Sequence, residues 1–186
     1  MAQYKVGYII GSLASASINR QLAKALVKLA PAELALHEIP IKDLPLYSYD
    51  HDANYPAVAT AFKQAIADAD ALLFVTPEYN RSIPGGLKNA IDWGSRPWGK
   101  NSFTGKPSGV IGASVGAIGT ALAQAHLRAV LNFCAAPQMA QPEAYIQFKK
   151  GLVAEDGSCT DAGTEEFLRN YMKAFAAFVA ANKARG

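Results

Sequence analysis

Ala71-Leu-Leu-Phe-Val-Thr76 is an unbroken apolar run bounded by Asp70 and Pro77, and it limits the possible folds more than any other segment. A run with no polar face to turn toward water reads as a strand covered on both sides, which is the position of a central strand in a parallel sheet. The chain around it alternates strand and helix patterns. Residues 5–10 form a short β-rich apolar run ending at Gly11 and Ser12, and residues 19–30 carry apolar side chains at helical spacing until Pro31 stops them. Residues 33–39 alternate polar and apolar as a more exposed strand, and 40–56 is an irregular stretch rich in proline and tyrosine. The patterns then predict a helix over 57–69, the central strand, a helix over 85–93 with Pro84 at its start, and a strand over 108–114. A helix over 119–133, a short strand near 137–140 and a closing helix over 164–183 complete the chain.

Strands alternating with helices in this way call for an α/β domain, a doubly wound five-stranded parallel sheet with right-handed crossovers. The expected strand order is 2-1-3-4-5, in one domain spanning 1–186.

Composition narrows the function. Of the 186 residues, 51% are apolar and 18% charged, which suits a packed core. The net charge of +3 is scattered, with no basic run to bind nucleic acid or a membrane surface. No stretch of about 18 apolar residues would span a bilayer. The opening Met-Ala-Gln-Tyr-Lys runs straight into a strand without the features of a secretory signal, so a cytoplasmic protein is expected. Cys134 and Cys159 lack CxxC spacing and read as free thiols, while His37, His51 and His126 lack metal-ligand spacing, so no metal is expected.

In a doubly wound sheet, ligands bind beyond the carboxyl ends of the strands where the strand order reverses, so the chemistry should lie in loops 11–20, 77–84 and 114–119. The first loop, Gly11-Ser-Leu-Ala-Ser-Ala-Ser-Ile-Asn-Arg20, gathers Ser12, Ser15, Ser17 and Asn19 just before a helix. Hydroxyls, free N–H groups and a helix N-terminus together suit a phosphate. Helix capping by Ser17 alone would explain one of these residues but not the accumulation. Neither a Walker A motif nor GxGxxG is present, so a monophosphate fits better than a dinucleotide. The second loop, Pro77-Glu-Tyr-Asn-Arg-Ser-Ile-Pro84, is stiffened by two prolines, and its backbone amides with Tyr79 or Asn80 could grip a flat ring that is apolar at one end and hydrogen-bonding at the other.

The third loop raises a rival, because Gly112-Ala-Ser-Val-Gly116 matches the GxSxG elbow of serine hydrolases. The required acid is missing between Ser114 and His126, and His126 falls inside the helix that the elbow would begin, so these residues read instead as a loop whose backbone approaches a ligand.

With these loops in hand, the chain resembles the flavodoxin-like NADPH-dependent FMN reductase family, in particular its bacterial chromate and quinone reductase branch. The matching segments are Gly11-Ser-Leu with Ser17 and Asn19, then Pro77-Glu-Tyr-Asn80 with Ser82, Pro84, Leu87-Lys-Asn89 and Asp92, and 114–119. The resemblance implies an FMN cofactor whose phosphate is held by Ser12, Ser17 and Asn19, with Gly11 and Ile18 in the same binding loop. It implies a ring lined by Pro77, Glu78, Tyr79 and Asn80, with Ser82 beside them and Ser114 and Gly116 over the pyrimidine edge. Many members carry Arg where this chain has Ala14, and Arg20 or a lysine is the available substitute.

The implied activity is that of an oxidoreductase taking hydride from NADPH or NADH and passing electrons by a ping-pong route to a quinone, a flavin or chromate. The flavin carries the chemistry, so no side chain is expected to act as acid, base or nucleophile. The alternative is a flavodoxin-type electron carrier, which the positive charge disfavours. Leu87, Ile91, Trp93, Trp98, Leu122 and Leu127 suggest more apolar surface than one domain hides, so a homo-oligomer, dimer or tetramer, is expected.

Overall fold

Inward-facing side chains alternate along the strands with period two, and this sorts them onto the two sides of one sheet. A computed structural model describes residues 3–184. Its strands are β1 (Tyr4–Ile10), β2 (Leu34–Glu38), β3 (Ala71–Val75), β4 (Ser108–Ser114) and β5 (Tyr145–Gln147). All pairings are parallel and the order is β2-β1-β3-β4-β5. The helices are α1 (Ile18–Leu29), α2 (Ala57–Asp68), α3 (Gly85–Ser95), α4 (Ala121–Phe133) and α5 (Ala162–Lys183).

Val6, Ile10, Leu73, Val75 and Ile111 face one side and pack with Leu22 and Leu26 of α1 and with Leu168, Tyr171 and Phe175 of α5. Ile9, Leu72, Phe74 and Val110 face the other, where Phe62 and Ile66 of α2, Leu87 and Trp93 of α3 and Leu127 of α4 cover them. Every residue of β3 is buried, as its unbroken apolar sequence requires.

Two expectations are corrected. The fifth strand is β5 and not 137–140, where Gln138 makes only an isolated bridge to Ser108. Pro142 follows and has no N–H with which to extend a ladder, so the chain leaves the sheet and pairs with β4 again only from Tyr145. The second correction concerns the apolar residues read as subunit surface. Leu87, Ile91, Trp93 and Leu127 are at most 2% exposed within the single chain, because α3 and α4 turn them onto the sheet. Only Trp98 and Leu122 of the six remain accessible.

The stretch before α2, which contains a short 3₁₀ turn at Tyr49–His51, is docked on α3. Trp93 Nε1 donates to the Pro45 carbonyl at 2.7 Å, and the Tyr47 and Tyr55 rings meet the indole edge-on at 5.1 and 5.0 Å. Cys134 and Cys159 are free thiols, and burial pushes both above the ordinary thiol range. The described residues contain no cluster suited to a metal and no helix long and apolar enough to cross a membrane.

Candidate functional site

The strand order reverses between β1 and β3, and there the three predicted loops converge. The Gly11 N–H donates to the Val75 carbonyl at 2.9 Å, and the Thr76 N–H donates to the Ile111 carbonyl at 3.0 Å, so the ends of β1, β3 and β4 are locked side by side. Gly11 is needed here because a Cβ would press on Thr76, Pro77 and Leu87.

Ser17 is the N-cap of α1, its Oγ accepting the Asn19 N–H at 3.2 Å, and Ser12 Oγ accepts the Ala14 N–H at 3.4 Å. Each hydroxyl keeps its own proton for a ligand. The N–H groups of Ser15, Ala16 and Ile18 have no acceptor in the protein among the described residues. Donors of this kind at the positive end of a helix form a phosphate cradle. A cavity of about 220 Å³ opens beside them, lined by Ser15, Ser17, Arg20 and Lys24.

The side chain of Asn19 is otherwise engaged. It is 1% exposed, its Nδ2 donates to the Ala113 carbonyl and its Oδ1 accepts the Ala113 N–H, both at 2.9 Å. Asn19 thus splices α1 to β4 and fixes where the cradle points. Arg20 lines the same cavity, and its Nη1 pairs with Glu38 at 2.9 Å while Nη2 and Nε make no hydrogen bond among the described residues.

In the second loop Pro77 is buried and Tyr79 exposed. Tyr79 and Ser82 exchange backbone hydrogen bonds of 2.9 Å around Asn80 and Arg81, whose φ values of 51° and 63° make a tight turn in the left-handed region. The Glu78 carboxylate accepts the Leu122 and Ala123 N–H groups at 3.0 and 3.1 Å, capping α4. Ser82 Oγ lies 3.0 Å from His126 Nδ1.

In the third loop Ser114 ends β4, and α4 begins only at Ala121. Ser114 Oγ accepts the Gly116 N–H at 3.2 Å, and His126 is bonded to Ser82, so the geometry of a nucleophile elbow is absent. Two other glycines set the path of this loop. A Cβ at Gly112 would strike the Thr76 carbonyl and the Thr120 hydroxyl, and Gly119, at φ +59°, lies against the Tyr145 backbone. A Cβ at Gly116 would meet only Ser114 Oγ, in ordinary contact at 3.6 Å, so the protein itself does not require glycine there. Sequence reasoning missed a buried polar layer beneath the loops, in which Gln124 Nε2 donates to Thr120 Oγ1 and the Ala144 carbonyl.

The donor set fits a flavin mononucleotide. The hydroxyls and free N–H groups suit its phosphate, while Leu13, Tyr79, Val115 and Ile118 project exposed apolar surface from the same three loops and suit a flat ring. A cavity of about 610 Å³ near Trp98, Phe133 and Cys134 draws no residue from these loops, so volume alone would misplace the site.

The chain is 51% identical over 175 residues to a 2-hydroxy-1,4-benzoquinone reductase of a Burkholderia species, covering 94% of this chain and 96% of that protein. It is 46% identical over 182 residues to a quinone reductase of Pseudomonas putida, covering 97% of each. Among solved structures, the flavoenzyme NAD(P)H:(acceptor) oxidoreductase FerB of Paracoccus denitrificans superposes with a TM-score of 0.93 at 46% identity, covering 96% of this chain and 98% of that one. The model of the NADPH-dependent FMN reductases matches residues 4–151, the span that carries β1 to β5 and all three loops, and the chain belongs to that family.

Proposed function

We propose that the protein oxidises NAD(P)H and reduces small quinones, with free flavins and chromate as further acceptors. The observation that carries this reading is the junction of a phosphate cradle at Ser12, Ser17 and the free N–H groups with an open apolar rim at Leu13, Tyr79, Val115 and Ile118. FMN held there would supply hydride acceptance from the nicotinamide and electron delivery to the acceptor, the two halves of a ping-pong reaction. The chain holds the phosphate with its hydroxyls and N–H groups and keeps the ring-facing loops at a fixed separation. It leaves the rim open, so that flat apolar partners can enter and leave in turn. Relatives named as quinone reductases support the choice of acceptor. The two free thiols fit a cytoplasmic setting. Trp98 and Phe133, 76% and 73% exposed and 6.5 Å apart, fit a buried patch of a homotetramer, which light scattering would test.

The test is the absorption spectrum of the purified protein, followed by steady-state NADH and NADPH oxidation with benzoquinone, FMN or chromate. The expected result is a flavin spectrum, about one FMN released per chain, and parallel double-reciprocal lines for donor against quinone. A colourless protein that fails to take up added FMN refutes the reading.

A further inference from the structure

The second and third loops reach the cleft from different strands, and a single carboxylate ties them together. Glu78 follows directly on Pro77 at the end of β3, yet its Oε2 accepts both the Leu122 and Ala123 N–H groups in the first turn of α4, at 3.0 and 3.1 Å. Its side chain is only 8% exposed, and Arg81 approaches its Oε1 at 3.3 Å from the exposed side. Thr120, the N-cap residue of α4, makes no side-chain cap of its own, so the cap comes from another loop. The Ser82 to His126 contact at 3.0 Å fastens the far side of the Asn80-Arg81 turn to the same helix.

Resting on the flavin reading above, we infer that Glu78 is a positioning residue that both sets the gap between the two ring-facing loops and tunes the reduction potential of the flavin held there. The first part follows from the connectivity. Without the carboxylate, the strained Asn80-Arg81 turn keeps only the Ser82 anchor to α4, and the 114–120 segment loses its fixed distance from Tyr79. The second part follows from charge. A helix N-terminus favours added negative charge nearby, and reduction adds electron density to the ring. Glu78 occupies that N-terminus with a negative charge of its own, cancelling the help α4 would give and disfavouring the reduced state. The flavin is thereby kept a stronger reductant than the bare helix end would allow.

Glu78→Gln keeps the cap and removes the charge, because the amide oxygen can still accept both N–H groups, while the exposed contact with Arg81 is given up. Apoprotein is titrated with FMN by fluorescence quenching, and the midpoint potential of the reconstituted protein is measured by equilibration with a reference dye. For Glu78→Gln the expected Kd for oxidised FMN stays within about threefold of the parent. The affinity ratio of reduced to oxidised FMN rises about tenfold, a potential about 30 mV less negative for a two-electron couple. For Glu78→Ala the Kd for oxidised FMN rises at least tenfold. A parent that binds no FMN overturns the flavin reading and this inference with it. A parent that binds FMN, with a Glu78→Gln variant of unchanged or lower potential, overturns this inference alone, and that comparison decides even where Glu78→Ala does not fold.

Discussion

Replacing Asn19 with alanine distinguishes a residue that holds the ligand from one that holds the loop which holds the ligand. The amide of Asn19 makes two 2.9 Å hydrogen bonds to the backbone of Ala113, a residue 94 positions away and 1% exposed. Truncation removes both bonds and strands a buried N–H and a buried C=O, at about 1–3 kcal/mol each unless water enters. Partial hydration brings the expected total to about 3 kcal/mol. For a domain of this size that corresponds to a fall of about 6–12 °C in Tm. The measurement is urea and thermal unfolding of flavin-free protein, parent against Asn19→Ala, followed by FMN titration at a temperature where both are folded. The structure predicts that most of the loss is present before any flavin is added, with weaker FMN binding following from a cradle that has come loose. An apoprotein of unchanged stability combined with a tenfold loss of FMN affinity would refute this reasoning and make Asn19 a phosphate ligand.

Ser114→Ala should remain yellow and oxidise NAD(P)H within about tenfold of the parent, since only its bond to the Gly116 N–H is lost, about 1 kcal/mol; esterase activity that vanishes in the variant would contradict this. Gly112→Ala should destabilise by about 1–3 kcal/mol in urea unfolding and weaken FMN binding, because its Cβ collides with the Thr76 carbonyl at the end of β3. A variant as stable as the parent would show that the strand ends yield. Asp70 is pushed up by burial, but the Lys5 N–H and the Lys183 ammonium outweigh this and hold its carboxyl below its ordinary 3.8. A depressed carboxylate stabilises above its ordinary pKa and loses that contribution as pH falls through the lowered value. Asp70→Asn should therefore cost about 1 kcal/mol at pH 7 and approach the parent as the pH falls below the ordinary 3.8 and through the lowered value; a gap that persists in strong acid would assign the effect to shape and not to charge.

The parts of the fold legible in the sequence are those with strong local periodicity. β3 announces itself by having no polar face, and α1 by its apolar spacing between Ser17 and Pro31. β5 was not legible, because three residues are too few for a pattern and the nearby run at 137–140 looked more strand-like than the segment that pairs. Nor can periodicity alone show that the apolar faces of α3 and α4 are used up within one chain, since that depends on how far the second side of the sheet reaches. At the site, the location of the three loops follows from topology, but the duties of their residues do not. Asn19 has the chemistry of a ligand and is engaged by Ala113, and Glu78 sits in a ring-lining segment and caps a helix more than forty residues away. Both pairings are long-range, and nothing local in the sequence marks them. Among the glycines of the third loop and its flanks, Gly112 and Gly119 are positions where the protein itself leaves no room, and no local pattern in the sequence distinguishes them from Gly116.

The setting of Trp93 makes the molecule its own optical gauge. The chain has two tryptophans, one wholly enclosed by Tyr47, Tyr55 and the Pro45 carbonyl, the other 76% exposed at Trp98. Their emission should separate accordingly, a blue component that iodide cannot reach and a red one that it quenches. With Trp98 changed to phenylalanine, the remaining signal reports on one event, the docking of the tyrosine-rich stretch on α3. Lifting of that stretch during unfolding would then appear as a red shift at Trp93, to be timed against the loss of helix seen by circular dichroism.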